Sequence, residues 1–393
     1  MQETRLPLRF VLLLSLLMAA PQTAFPEELP LLPGPVRLVL PPVIYAVPGV
    51  EMNVYFDNVV LVVDPNDYVF DVACSRGIHQ SERWTYTPSA DDVGSHPLMI
   101  EVRDGQNQVI ARATTKIEVV PADAGGNRPV SALLIGDSLT NASVYSQHLL
   151  DLCKQPGNPQ LTLIGSYNPE GQAPENRHEG YGGWTALRFA THYTGVARQG
   201  DSRKRGSPFL YENADGSKKL DFARYLKDIG AEKSPDFVTI FLGPNDIFPA
   251  TDETLEETLD TMLANYDLLL AMVRGVSAET RLGVMLPAPA AATQDAFGAN
   301  YKTGQTRWQY KRNQHRLVER MLERYGARES EGIYLVPTEV NLDSLHNYPT
   351  ASGKWNVRAE TEAARLNNGV HPAASGYRQI GDTLYCWMKA MLR

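Results

Sequence analysis

Three short stretches of this 393-residue chain carry side chains suited to acyl transfer. Gly136-Asp137-Ser138-Leu139 closes an apolar run at 131–135, Gly243-Pro244-Asn245-Asp246 follows another at 237–242, and Val370-His371-Pro372 stands near the C-terminus. A serine hydroxyl becomes a nucleophile when an imidazole takes its proton, and the oxyanion that then forms needs hydrogen-bond donors. Ser138 offers the nucleophile, and His371 the base that later protonates the leaving alcohol. The Asn245 side chain offers a donor. A Gly-Asp-Ser turn alone is a common helix N-cap, so its weight comes from the company it keeps. Asp137 is expected to organise the serine turn and to border the substrate, and Asp246 to cap or orient its own loop.

Elements of a recognisable order must position these groups. From residue 130 onward, apolar strand candidates at 132–135, 161–164, 237–242, 282–286 and 333–336 alternate with helix candidates at 143–153, 220–227, 254–274, 306–325 and 374–391. That alternation predicts a parallel sheet covered by helices on both faces, with ligands outside the carboxyl ends of the strands. Residues 30–121 differ: short strand candidates separated by turns such as Asp64-Pro65-Asn66-Asp67 and Asp104-Gly105 predict an all-β sandwich. Within it, residues 88–120 resemble the immunoglobulin-like or cadherin-like modules of bacterial surface and secreted proteins. The Gly/Pro-rich segment 122–129 reads as a linker to a second domain at 130–393. At the start, Arg5 and Arg9 precede an apolar run at 10–20, the order of a secretory signal peptide covering 1–24 and cleaved near Ala20 or Ala24. That run is short for a stable membrane span, so a secreted or periplasmic protein is expected.

Four motifs in order resemble the SGNH hydrolases, the GDSL-type esterases, over about residues 130–392: the three above and His178-Glu179-Gly180-Tyr181-Gly182-Gly183-Trp184. The resemblance implies a flavodoxin-like α/β fold. It also implies an oxyanion hole made by the backbone N–H groups of Ser138 and Gly180 and the Asn245 amide. The chain departs from the family at one position. Three residues before His371, where the family usually has an aspartate, stands Asn368. Three arrangements fit: a Ser-His dyad whose imidazole is oriented by Asn368 or a main-chain carbonyl, a different acid such as Asp343 or Glu339 folding into the site, or a weak or inactive centre. The intact serine, histidine, glycine and asparagine favour the dyad.

Aromatic and polar residues crowd the segments around these motifs: Tyr181 and Trp184, Trp308 and Tyr310, then His346, Tyr348 and Trp355. Such rings suit stacking on sugar faces, and Tyr181, Trp184, Trp308, His346 and Tyr348 are candidate substrate contacts. No long apolar segment offers an acyl-chain tunnel, and the His178–Trp184 block also resembles that of SGNH carbohydrate esterases. The expected substrate is therefore an acetylated carbohydrate or other small ester. The alternatives are a lipase or thioesterase of the same fold, and a carbohydrate-binding surface protein with a degenerate centre.

Charge and composition exclude other classes. With 37 Lys+Arg against 45 Asp+Glu and a net charge of −8, the chain has no basic stripe to hold nucleic acid. Its histidines lack metal-ligand spacing, and no cofactor or metal is expected. The basic segment 198–219 reads as a solvated loop that could face an anionic glycan. The three cysteines, Cys74, Cys153 and Cys386, form no disulfide framework, and no pattern specifies an oligomeric state.

Overall fold

The computed structural model describes residues 36–195 and 205–393. The leader expected at 1–24, and Arg203 and Lys204 of the basic segment, lie outside the described residues.

The C-terminal two-thirds builds on five parallel strands in the spatial order Gln160–Ile164, Pro129–Gly136, Phe237–Phe241, Arg281–Met285, Ile333–Val336. In chain order this is 2-1-3-4-5, a doubly wound sheet whose strand order reverses beside the first strand. Its strands are nearly all apolar because helices cover both faces; Leu133, Leu134, Ile135, Val238 and Ile240 are fully buried. The helices Val144–Cys153, Leu255–Arg274, Arg307–Tyr325 and Ala374–Met391 fall within a residue or two of the expected spans. The helices Ala186–Thr191 and Gln294–Tyr301 and the hairpins Leu210–Glu212/Lys218–Leu220 and Thr350–Lys354/Glu362–Leu366 lie outside the expected elements. All are short, so periodicity carries little signal in them.

Residues 37–119 are strand-rich. Val43–Ala46, Val109–Val119, Gly94–Arg103 and Val69–Ala73 form one sheet, and Met52–Tyr55, Arg83–Tyr86 and Ile78–His79 another. Ile44, Val54, Trp84, Ile100 and Ile117 fill the space enclosed by these strands. In the apolar run at 59–63 only Val60–Leu61 pairs as a strand, and Phe56–Val59 ahead of it is a helical turn. The cause is tertiary. Asn58 Nδ2 donates to the carbonyls of Glu339 and Leu342 at 2.8 Å each, which anchors the turn to the other half of the chain. Val340 enters the same apolar cluster, and Asn341 Oδ1 accepts from Asn53 N at 2.8 Å. All three cysteines are free; Cys153 and Cys386 are buried core residues.

Candidate active site

The first and third strands in chain order end side by side, Gly136 in register with Phe241, at the point where the strand order reverses. Both motifs start there. Ser138 opens the helical turn Ser138–Asn141, and its N–H, as the first of a helix, has no intrahelical acceptor. Asp137 caps that turn, accepting the Leu139 N–H at 2.9 Å. Gly243 occupies a φ of 143°, and a Cβ there would lie 2.7 Å from Leu317 Cδ2, so only glycine lets the chain swing from the strand into the turn Pro244–Ile247. That swing delivers Asn245, whose Nδ2 donates to Asp137 Oδ2 at 3.0 Å and to the Trp184 carbonyl at 3.3 Å.

His371 comes from the opposite end of the sequence, in the loop before the last helix. Its Nε2 lies 2.8 Å from Ser138 Oγ. The ring is partly buried, which lowers its pKa below the usual histidine value and keeps it neutral as a base. A neutral imidazole accepting a proton at Nε2 carries its own proton on Nδ1, which bonds no described residue.

Asn368 does not orient this ring. Its Oδ1 accepts the backbone N–H groups of Val370 at 3.1 Å and His371 at 2.9 Å, an Asx turn that shapes the loop. Neither alternative acid reaches the ring. Asp343 accepts the Leu345 and His346 N–H groups at 2.9 and 2.8 Å and the Tyr55 hydroxyl at 3.3 Å. Glu339 is fully buried in the turn Thr338–Asn341, and burial raises its carboxyl to about 8. The loop is instead held through its backbone. Ala291 N donates to the Gly369 carbonyl at 3.1 Å, and Arg307 Nε donates to the Ala291 carbonyl at 3.3 Å. Arg307 Nη2 in turn meets Asp57 of the strand-rich region at 2.8 Å.

Gly180 is placed differently from the expectation. Residues Glu179–Gly180 form a short strand beside Ile135 and Gly136, and the Gly180 N–H donates to His178 Nδ1 at 3.0 Å. A Cβ on Gly180 would lie 2.7 Å from Thr140 Cβ, so this glycine serves close packing. Burial lowers the His178 pKa to about 4, and its Nε2 lies 2.8 Å from Ser143 Oγ, so this histidine is a neutral structural link. The next two glycines form the tip of a turn in which Trp184 N donates to the Tyr181 carbonyl at 3.2 Å, with Gly183 at φ +73°. Their N–H groups have no partner among the described residues, and the turn is tied to Asn245 through the Trp184 carbonyl. Two glycines between aromatic residues were the signal for such an exposed turn.

The expected substrate contacts also divide. Asp137 is fully buried and serves the turn and Asn245, not the substrate. Tyr181 and Trp184 are fully buried against each other and Phe189, with ring centroids 4.8 Å apart for Tyr181–Trp184 and for Trp184–Phe189. Tyr348 is buried and donates to the Pro289 carbonyl, and Tyr310 packs against Phe297. Each such ring buries on the order of 150–250 Å², and that apolar gain outweighs a place at the surface. Trp308 is half-buried on a helix under Arg312, and exposed His346 faces Glu82 of the strand-rich region. Trp355 is also well exposed, at 57 %.

Two carboxyls under the site have unusual electrostatics. Burial pushes Asp137 from 3.8 up to about 7, against the hydrogen bonds from the Leu139 N–H, Asn245 and its own backbone that lower it. That is on the order of 4 kcal/mol of ionisation free energy, so desolvation wins over hydrogen bonding here. Asp246 is likewise pushed to about 7, by burial first and by Asp137 second; its Oδ1 accepts the Ala186 N–H at 3.0 Å. A buried hub missed in the sequence, Glu179, gathers the Ser166 N–H at 2.6 Å and the hydroxyls of Tyr225 at 2.6 Å and Tyr181. Among the described residues no three His, Cys, Asp or Glu side chains converge as a metal site. No helix among them is long and apolar enough to cross a membrane.

Solved structures share 13–15 % identity with this chain. A carbohydrate esterase family 3 protein from Talaromyces cellulolyticus matches at 14 % identity and a TM-score of 0.38, over 67 % of this chain and 98 % of its own. An acetyl esterase crystallised with acetate matches at 15 % and 0.36 over the same shares, 67 % and 98 %. An acetyl xylan esterase matches at 14 % and 0.32, over 65 % and 98 %. No curated protein sequence matches. The family model for GDSL-like lipase/acylhydrolases matches residues 133–384. That match spans well over half of the sequence and includes the serine turn, the Asn245 turn and the histidine loop, and on it the chain belongs to the GDSL-like lipase/acylhydrolase family, an esterase-type hydrolase.

Proposed function

We propose that this hydrolase is an exported serine esterase that removes short acyl groups, acetyl first among them, from carbohydrate hydroxyls. In this reading residues 130–393 form the catalytic domain, and residues 30–121 an immunoglobulin-like β-sandwich joined to it by 122–129. The observation that carries the reading is the 2.8 Å contact between Ser138 Oγ and His371 Nε2.

The chemistry follows from that contact. His371 Nε2 takes the Ser138 proton as Oγ attacks the ester carbonyl carbon, whose π electrons move to the oxygen. The oxyanion is met by the Ser138 N–H, an N–H of the Gly182-Gly183 turn and the Asn245 amide, which keeps its bond to Asp137 and turns to the oxyanion the N–H it otherwise gives, at 3.3 Å, to the Trp184 carbonyl. Each such donor contributes about 2.7–4 kcal/mol. The imidazolium then protonates the alcohol oxygen as the C–O bond breaks, leaving acyl-Ser138. Water, deprotonated by the same Nε2, attacks the acyl-enzyme, and the carboxylic acid leaves as Ser138 regains its proton. In a serine-protease triad, replacing the acid by asparagine costs about 10⁴ because the wrong tautomer forms. Here Asn368 is turned away from the ring, so it imposes no tautomer, and solvent can accept the Nδ1 proton.

Two features support a sugar ester over a long-chain lipid. The cavities of about 540 Å³ and about 580 Å³ are not lined by Ser138, so neither serves as an acyl tunnel from it. The loop before His371 carries the uncharged polar residues Asn367 and Asn368, and Asn300 of the helix Gln294–Tyr301 bonds to it. The test compares 4-nitrophenyl acetate, 4-nitrophenyl octanoate and acetylated xylan as substrates of the wild type and Ser138→Ala. Acetate is expected to be preferred over octanoate, and the substitution to remove at least about 10³-fold of turnover. Equal slow hydrolysis by both proteins sinks the esterase centre; an octanoate preference sinks the carbohydrate reading.

A further inference from the structure

The hairpin Thr350–Lys354/Glu362–Leu366 stands directly before the His371 loop, paired to no other strand among the described residues. An isolated two-stranded hairpin is marginal in water, and in this one only Leu366 is fully buried. It therefore adds little to the core. Just beyond its first strand, Trp355 is 57 % exposed, with the Arg365 guanidinium 4.3 Å from its ring centroid.

Between the hairpin and the helix Gln294–Tyr301 runs a groove of about 580 Å³. This lies within the range of about 300–1,000 Å³ typical of small-ligand sites. Gln294, Asp295 and Gly298 line the helix wall, and Ser352, Arg365 and Asn367 the hairpin wall. The same helix supports the catalytic loop: a Cβ on Gly369 would lie 2.7 Å from Phe297 Cε2, and Asn300 Nδ2 donates to the Asn367 carbonyl. One helix thus walls the groove and backs the histidine loop, and the groove ends at Asn367, four residues before His371.

The charge in the groove is nearly balanced. Asp295 and Arg365 face each other at 3.8 Å, and among the described lining residues Lys354 alone adds a further charge. A polyanion would find a single uncompensated cation there, Lys354, since Asp295 sits beside Arg365. A neutral sugar chain would find amide and hydroxyl partners along the walls, and at the rim, outside the lining, the Trp355 indole lies against the lining residue Arg365 and leaves its other face for the apolar C–H face of a pyranose. We infer that this groove is the subsite for the glycan chain that carries the scissile ester, and that its ligand is a neutral polysaccharide. The inference rests on the carbohydrate-ester reading and adds where the chain lies and what charge it carries.

Two substitutions test it. A Cβ at Gly298 meets nothing within 4 Å, so Gly298→Phe fills the groove and also improves helix propensity. Trp355→Ala removes the indole. Binding is read in a Ser138→Ala background by affinity electrophoresis in gels holding soluble acetylated xylan or polygalacturonate. Xylan is expected to retard the Ser138→Ala protein and polygalacturonate to leave it unretarded, and each substitution to weaken the apparent affinity by about tenfold or more. In the Ser138 protein, the ratio of kcat/KM on acetylated xylan to that on 4-nitrophenyl acetate falls by a similar factor. Absence of retardation by xylan, retardation by polygalacturonate instead, or undiminished retardation in both variants overturns the inference. Groove-dependent binding without acetate release would leave the groove standing and sink the carbohydrate-ester function.

Discussion

The serine turn and the histidine loop are held by opposite means. Ser138 sits on a turn braced by a buried carboxylate, with Asp137 bonded to the Leu139 N–H and to Asn245. His371 sits on a loop held through its backbone: Asn368 shapes it from within, Ala291 and Arg307 brace it from the α/β part, and Asp57 of the strand-rich region holds Arg307 in turn. The nucleophile and its oxyanion donor are thus coupled through one buried side chain, whereas the base depends on the placement of a loop. Removing the family's usual acid did not leave the histidine unplaced; it moved the burden of placement from a side-chain charge to main-chain contacts that reach across the molecule.

The largest effect is expected on the serine side. Asp137→Ala frees Asn245 and uncaps the turn, and kcat on 4-nitrophenyl acetate should fall by about 10²–10³, the size of a lost oxyanion donor. A loss under about fivefold would show that Asn245 needs no buried partner. On the histidine side, Asp57→Ala cuts the brace on Arg307, and kcat should drop by about tenfold with KM little changed, as for a small displacement of a reacting group. If instead the drop is matched by KM alone, the strand-rich region serves binding and not the placement of His371.

The pH dependence separates the two regions further. Burial lowers the His371 pKa, so the acid limb of kcat/KM should have its midpoint below 6.5, where the ring becomes neutral. A midpoint above that value would mean that a negative charge reaches the ring. The carboxyls beneath the serine act on stability with the opposite sign. Burial raises Asp246 from 3.8 to about 7, so between these values the folded state keeps a proton that the unfolded chain releases. Its contribution therefore falls as pH rises, by up to about 1.4 kcal/mol per pH unit, and the cost is complete above about 7. Asp246→Asn keeps the acceptor for the Ala186 N–H and cannot ionise. Its unfolding free energy relative to wild type should rise between pH 4.5 and 8 in urea titrations, and a constant difference would contradict a buried, titrating Asp246. The smallest effect is expected for Asn368→Asp. The new carboxylate keeps both backbone bonds and does not face the ring, so kcat should change by less than about threefold. A rise of about tenfold or more would show that the loop turns to present an acid to Nδ1.

Much of the α/β fold was legible because its strands are continuous apolar runs ended by Gly-Asp-Ser and Gly-Pro-Asn-Asp, signals contained in a few neighbouring residues. The helices at 255–274, 307–325 and 374–391 were legible because their length lets period 3.6 repeat. The misplacements share one cause. Gly180, Tyr181, Trp184 and Tyr348 were read as facing the substrate because they lie near motifs in the sequence. Which face of a loop is buried depends on what packs against it, and that information sits elsewhere: in Phe189 for Trp184, in Ile135 and Gly136 for Gly180. Asp343 and Glu339 were plausible acids only until the strand-rich region claimed their turn, through Tyr55 and Asn58.

By itself, the sequence determined which residues could do acyl transfer, the alternation that builds the doubly wound sheet, and the absence of an aspartate three residues before His371. Each is a matter of residue type and local spacing. Only the tertiary structure decided that Ser138 and His371, 233 positions apart, stand 2.8 Å from each other, and that Asn368 serves the backbone and not the imidazole. It also decided that the strand-rich region braces the histidine loop. Those outcomes turn on the direction of individual N–H and C=O groups, which the chain acquires only when distant segments pack and every buried polar group must find a partner.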